Sequence, residues 1–385
     1  MPIKSWDIFC RVVDNFGDIG VSWRLARQLA TEHAEHAAKV RLWVDDLASL
    51  HAMWPEVDVA AREQVVALVE IFHWTGDFAG VRPATVVIEA FGCGLPQAYV
   101  QRIVDARTDT LWITLEYLSA ETWVASHHGL PSPHPRWPVR RYFFFPGFTP
   151  GTGGVLHEAG LWIRRDAFNA AARGDFWRAL AFQPPAADSL MVSMFAYEAA
   201  PLEELLSVWE HGAEKMVVVI PAGQLGARAA QFMGAGAHTV PAALSRGALE
   251  VRMAPFLPQP VYDQLLWTCD VNFVRGEDSF VRAQWAGWPF VWHAYPQKDE
   301  AHTAKLDAFL ARYCAQLQGD AAHAVTQFWR AWNRAGDTAA TLAQAWPAFR
   351  AQAASQRHGL VGWTRQLASI GDLASNLARF CENKL

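Results

Sequence analysis

The stretch RVVDNFGDIGVSWRLARQLA, Arg11 to Ala30, decides the fold class. It follows the apolar run Trp6-Asp7-Ile8-Phe9-Cys10, so a strand ends at an acid and turns through Asn15 and Gly17. The chain then enters a helix that carries a second acid, Asp18. A buried strand passing through a glycine-bearing turn into a helix is the opening of a βαβ unit. Two carboxylates, Asp14 and Asp18, flank the tightest turn of that unit.

The same alternation continues outward. Val40–Asp45, Val69–Trp74, Ala84–Phe91 and Thr110–Tyr117 read as strands, mostly continuous apolar runs of the kind buried on both faces of a parallel sheet. Helical patterns cover Gly20–Thr31 and Pro96–Ala106. From Ser126 to Pro150 the chain is rich in Pro, Gly and His and reads as loops, with a short strand at Arg141–Phe145. A second alternating series opens at Asp188. Its strands are Leu190–Phe195, Met216–Ile220, Leu249–Met253, Val271–Val274 and Phe290–His293, with helices between them marked by Leu202, Leu205, Leu206 and Trp209. The expectation is two facing Rossmann-like domains with a cleft between them. Residues 1–184 form the first and 185–365 the second, and a terminal helix, 366–385, packs back on the first.

Composition sets outer limits. The chain has 385 residues, enough for two α/β domains; 52% are hydrophobic and 18% charged, as in a well-buried globular protein. A net charge of −5 argues against broad nucleic-acid binding. The first residues lack the apolar core of a signal peptide, and no run approaches the ~18 apolar residues of a membrane span. A cytoplasmic protein is expected. Five cysteines are scattered without a C-x-x-C pair and read as reduced thiols. Cys93, between Gly92 and Gly94 after a strand, has a second reading as an exposed nucleophile. The nineteen tryptophans read as core, and the histidines around 127–157 lack metal-ligand spacing.

Phosphate-binding signals need weighing one by one. No G-x-G-x-x-G follows the first strand, so a nicotinamide or flavin fingerprint is absent. GFTPGTGG, Gly147 to Gly154, is glycine-rich but lacks the G-K-[ST] ending of a P-loop and reads as a flexible loop. No D-x-D triplet is present to hold a divalent metal. VNFVRGEDSFVRAQWAG, Val271 to Gly287, is stronger. There a strand ends at Arg275-Gly276, Glu277 and Asp278 follow, and Ser279 opens a helix. A strand end feeding a helix N-terminus is where open α/β sheets take anions. Ordinary capping by Ser279 and the acids is the other reading. SMFAYE places Phe195 and Tyr197 on one face of a strand end, and APFLPQP places Phe256 and Gln259 in a loop after another. An aromatic beside an amide suits a nucleobase, although each segment alone also reads as core.

Taken in order, VVDNFGDIGVSWRLARQL, FFFPGFTPGTGG, MFAYE, PFLPQ and FVRGEDSFVRAQWAGWPFVWHAYPQ resemble the protein-arginine rhamnosyltransferases of elongation factor P. The likeness spans nearly the whole chain. It implies a GT-B architecture and inverting transfer of L-rhamnose from dTDP-β-L-rhamnose to one arginine, with elongation factor P as acceptor and neither cofactor nor metal. It also implies roles: Asp18 as catalytic base with Asp14 beside it, and Glu277 essential between donor binding and orientation. Phe195, Phe256 and Gln259 would hold thymidine, and Tyr197, Arg275, Asp278 and Ser279 the pyrophosphate. The flanking acids of the first turn would then await the acceptor arginine. Two rivals predict other outcomes. A sugar-nucleotide 2-epimerase or hydrolase would turn over the donor without elongation factor P, and a non-catalytic nucleotide-binding protein would bind without turnover.

Overall fold

A computed structural model describes residues 3–13, 16–32, 38–76, 78, 80–105, 110–236, 240–297, 301–336 and 340–385. The runs rich in branched and aromatic residues become two sheets. The first contains β1 (Ser5–Cys10), β2 (Lys39–Val44), β3 (Glu63–Val66), β4 (Val69–His73), β5 (Val86–Ala90), β6 (Leu111–Leu115), β7 (Pro131–Pro133) and β8 (Arg140–Phe144). Their order is β3-β4-β2-β1-β5-β6-β8-β7, parallel except for the edge strands β3 and β7. The second contains β9 (Leu190–Met194), β10 (Met216–Pro221), β11 (Ala242–Arg246), β12 (Leu249–Ala254), β13 (Val271–Arg275) and β14 (Phe290–His293). These run β11-β12-β10-β9-β13-β14, with only β11 antiparallel.

Both orders reverse direction beside their first strand. β1 lies between β2 and β5, and β9 between β10 and β13. Connections on the two sides of such a strand leave to opposite faces of the sheet, which opens a crevice at its carboxyl end. The turn after β1 and the MFAYE segment after β9 therefore occupy the switch points of their sheets. Every residue of the first strand after Ser5, Trp6 to Cys10, is buried, as both-face coverage requires.

The chain divides into Met1–Ala159 with Gln366–Leu385, and Gly160–Arg365. The boundary falls 25 residues before the position read from the sequence, 184 against 159. Packing explains the difference. Phe176, Trp177, Leu180 and Phe182 are buried against Val219, Ala254, Leu257, Leu265 and Cys269 of the second unit. Burying such side chains contributes about 1.5–3 kcal/mol each, so the segment stays with that core. In the first unit, the Leu373 backbone N–H donates to Val155 O at 3.1 Å, and Phe380 meets Phe144 edge-on at 5.5 Å.

The GFTPGTGG segment is not the flexible loop its composition suggests. Residues 152–156 are buried, and the Gly153 N–H donates to Phe145 O at 2.7 Å. A Cβ on Gly154, at φ +72°, would come within 2.2 Å of Gly371 O. Glycine is required there so that the C-terminal segment can lie against this turn. No helix among the described residues is long and apolar enough to cross a membrane.

Candidate active site

In the first unit the helix Gly17–Glu32 is the element that follows β1. Asp18 stands in its first turn, where a carboxylate complements the helix dipole, and is only 2% exposed. Its Oδ2 accepts the Val13 N–H at 3.0 Å, which ties the carboxylate to the chain leaving the strand. The neighbouring Asp45 accepts the Val12 N–H at 2.9 Å through Oδ1. Two backbone donors in succession thus hold the exit of β1 against acids from two elements. Burial, together with Asp18, Cys93 and Asp45, pushes the Cys10 thiol beneath them well above its ordinary value, and it stays protonated. Asp14 lies outside the described residues.

In the second unit four strand ends converge. β9 delivers Phe195 and Tyr197, β12 the Phe256 loop and Gln259, β13 Arg275, and β14 His293 and Tyr295. The Arg275 guanidinium carbon lies 4.4 Å from the Phe195 ring centre and 4.7 Å from that of Tyr197. Two π-faces therefore hold this cation, at about 0.5–2 kcal/mol per ring. Gly276, at φ +60°, makes the turn into the helix Asp278–Ala286. Trp292 Nε1 donates to Gly276 O at 3.0 Å and holds that turn from β14.

The polar residues are pre-set. Gln259, expected in a loop, is instead the first residue of the helix Gln259–Thr268, and its Nε2 donates to Asp278 Oδ2 at 3.0 Å, joining that helix to the one after β13. The same two helices share a buried ion pair, with Arg282 donating to Asp263 at 2.7 and 3.0 Å. Ser279 Oγ accepts the Arg275 N–H at 3.1 Å and donates to Arg275 O at 2.5 Å. Its hydroxyl proton closes the turn, so Ser279 shapes the site through the backbone of Arg275. Glu277 is half-buried at the start of the same helix, and Phe256 is half-buried in its loop.

Two residues of this constellation were not singled out from the sequence. The Tyr197 N–H donates to His293 Nδ1 at 3.1 Å, and Tyr295 packs edge-on against Tyr197 at 5.1 Å. Burial, and then the Arg275 charge, lower the His293 pKa to about 3. The ring is neutral, and because Nδ1 accepts, its proton sits on Nε2. The signal existed: FVWHAY ends a strand by the same rule that selected SMFAYE. Conversely, the nucleophile reading of Cys93 fails. Its Sγ donates to Phe9 O at 3.3 Å, and burial and Glu89 push the thiol up to about 12. His128 is structural, its Nδ1 accepting the Phe145 N–H at 3.1 Å.

Two mainly parallel sheets, with the candidate site residues at their strand ends, make this a GT-B glycosyltransferase fold. Spinosyn rhamnosyltransferase SpnG shares it, with a TM-score of 0.52 over 98% of this chain and 99% of that one, although only 13% of residues are identical. A solved structure reported as the basis for EarP-mediated arginine glycosylation of translation elongation factor EF-P is nearer. It has a TM-score of 0.70 and 36% identity, covering 99% of both chains. Protein-arginine rhamnosyltransferases of Pseudomonas putida and Pseudomonas aeruginosa are 47% and 44% identical, over 99% and 98% of this chain and 99% of each relative. The family model described as elongation factor P (EF-P) rhamnosyltransferase EarP matches residues 6–382. The chain belongs to that family.

Proposed function

We propose that this protein transfers L-rhamnose from dTDP-β-L-rhamnose to an arginine side chain of elongation factor P, in the cytoplasm, with inversion and without a metal. The observation that carries the reading is Arg275, held between Phe195 and Tyr197 at a sheet switch point in a chain of this family.

The geometry supports a role for each group. Phe195, Phe256 and Gln259 would take the thymidine, the rings by stacking and the amide by hydrogen bonding. Arg275 and the N-terminus of the helix Asp278–Ala286 would offset the diphosphate charge as it grows on the leaving oxygen. Tyr197 would line the diphosphate end. Asp278 positions Gln259, Ser279 positions Arg275, and Glu277 would orient the groups around the sugar. A pyrophosphate neutralised in this way needs no divalent ion.

The acceptor poses the harder chemical problem. A guanidinium has a pKa above ~12, so an ordinary carboxylate does not deprotonate it before reaction. Asp18, with Asp14, would instead hold the guanidinium by paired hydrogen bonds and align one nitrogen with the anomeric carbon. As the C–N bond forms and the C–O bond to dTDP breaks on the opposite face, the proton on that nitrogen passes to Asp18. Incubating enzyme, dTDP-β-L-rhamnose and elongation factor P, then weighing the acceptor intact, tests the reading. Donor consumption with an unmodified acceptor would reject it.

A further inference from the structure

The loop after β9, residues 195–201, carries Phe195 and Tyr197, and its far end is held by an arginine that the donor and base assignments leave unused. Arg228 stands on the helix Gln224–Phe232, which follows β10, the neighbour of β9 in the sheet. Its guanidinium reaches four acceptors. Nε donates to Glu203 Oε1 at 2.8 Å and Nη2 to Glu203 Oε2, a bidentate pair. Nη1 donates to Glu198 O, and Nη2 donates to Ala200 O at 3.0 Å. Glu203 lies in the first turn of the helix Leu202–Glu210, where the loop ends.

The ion pair alone adds little to global stability, because Arg228 is 28% and Glu203 44% exposed. The two carbonyls matter more. Main-chain groups in a loop lack ladder partners, and Arg228 supplies them on both sides of Ala199. Arginine suits this position because its planar fork presents several N–H groups in fixed directions, whereas an ammonium is a compact point charge.

A short turn transmits the contact to the site. The Ala200 N–H donates to Tyr197 O at 3.0 Å, and the Tyr197 N–H donates to His293 Nδ1 at 3.1 Å. The backbone of Tyr197 is thus fixed on one side by β14 and on the other by the turn that Arg228 closes. The buried Tyr197 ring has the Arg275 guanidinium carbon 4.7 Å from its centre, so a shift of the turn displaces both.

We propose that Arg228, paired with Glu203, is a positioning residue for the donor site, holding the turn 197–200 so that Tyr197 and Arg275 stand where the diphosphate binds. The inference rests on the donor-site reading above. Arg228 acts through the main chain of Glu198 and Ala200 and not by touching the nucleotide. Its loss is felt at the diphosphate and not at the base, since the Phe195 N–H is anchored separately to Phe273 O at 3.0 Å.

The test is calorimetry with dTDP and with thymidine on Arg228→Met, Arg228→Lys, Glu203→Gln and Tyr197→Leu, and on the double variant Arg228→Met/Tyr197→Leu. Arg228→Met should raise the dTDP Kd roughly three- to tenfold and leave that of thymidine within about twofold, which also shows that the variant is folded. Arg228→Lys keeps the charge but cannot span the carboxylate and both carbonyls, so it and Glu203→Gln should fall between Arg228→Met and the unaltered protein. Once Tyr197 is replaced there is no ring left to position, so adding Arg228→Met should change the dTDP Kd less than about twofold further. Unchanged dTDP affinity in Arg228→Met, an equal loss for thymidine, or the full loss repeated in the double variant overturns the positioning role. Normal dTDP affinity in Tyr197→Leu alone instead overturns the donor-site reading beneath it.

Discussion

Replacing Arg275 by alanine removes a cation that lies over two rings at the proposed diphosphate site. A charge-assisted hydrogen bond to a phosphate oxygen contributes about 1.5–3 kcal/mol. At 1.4 kcal/mol per tenfold, the dTDP Kd should rise roughly 10- to 150-fold. Lysine restores the charge without the planar fork or its stacking on Phe195 and Tyr197, so Arg275→Lys should fall between the two. Calorimetry with dTDP and, separately, with thymidine isolates the cause. Thymidine lacks the diphosphate, and its weaker binding should be nearly untouched by Arg275→Ala. Unchanged dTDP affinity would place the diphosphate elsewhere. An equal loss for thymidine would show that Arg275 acts by propping the rings and not by contacting phosphate.

Asp18→Asn keeps the shape of the side chain and an oxygen able to accept the Val13 N–H, but loses the anion and the proton acceptor. Calorimetry should find dTDP binding unchanged while transfer falls at least ~10²-fold, and near-normal turnover would remove Asp18 from the mechanism. Activity should survive dialysis against EDTA; a strict need for added magnesium or manganese would contradict the metal-free account. The third outcome concerns pH. His293 binds its proton near pH 6.5 when unfolded but only near 3 in the fold. Between these values the unfolded chain holds the extra proton, so His293 costs stability as pH falls. The stability difference between the unaltered protein and His293→Asn should shift by about 1.4 kcal/mol per pH unit from pH 6 to 4, against the former, in denaturant titrations. A pH-independent difference would refute the buried neutral ring.

The parallel strands were legible because each is a short, mostly apolar run between turn signals, and β2, β10 and β14 start or end within a residue or two of their reading. The antiparallel edges were not. β3 (EQVV) is half-exposed and polar, and its hairpin turns through Ala67 and Leu68, both at positive φ, without the Asn-Gly or Asp-Gly that announces such a turn. β11 (AALSR) is hidden in the same way. Within the site, strand-end aromatics could be located from spacing, but their partners could not. That Asp278 grips Gln259 depends on how two helices pack, which the buried Arg282–Asp263 pair fixes. The domain boundary failed for a related reason. The helix Ala170–Ala179 has apolar residues that suit either unit, and only the cavity they fill assigns them to the second.

The central claim, a single displacement that links rhamnose to an arginine nitrogen, is tested most directly by the product itself. Elongation factor P treated with this enzyme and dTDP-β-L-rhamnose should gain the mass of one deoxyhexosyl group. Fragmentation should place it on an arginine, and NMR of the anomeric centre should show an α-linkage. A β-linked sugar, or a sugar on any residue other than arginine, would contradict the account.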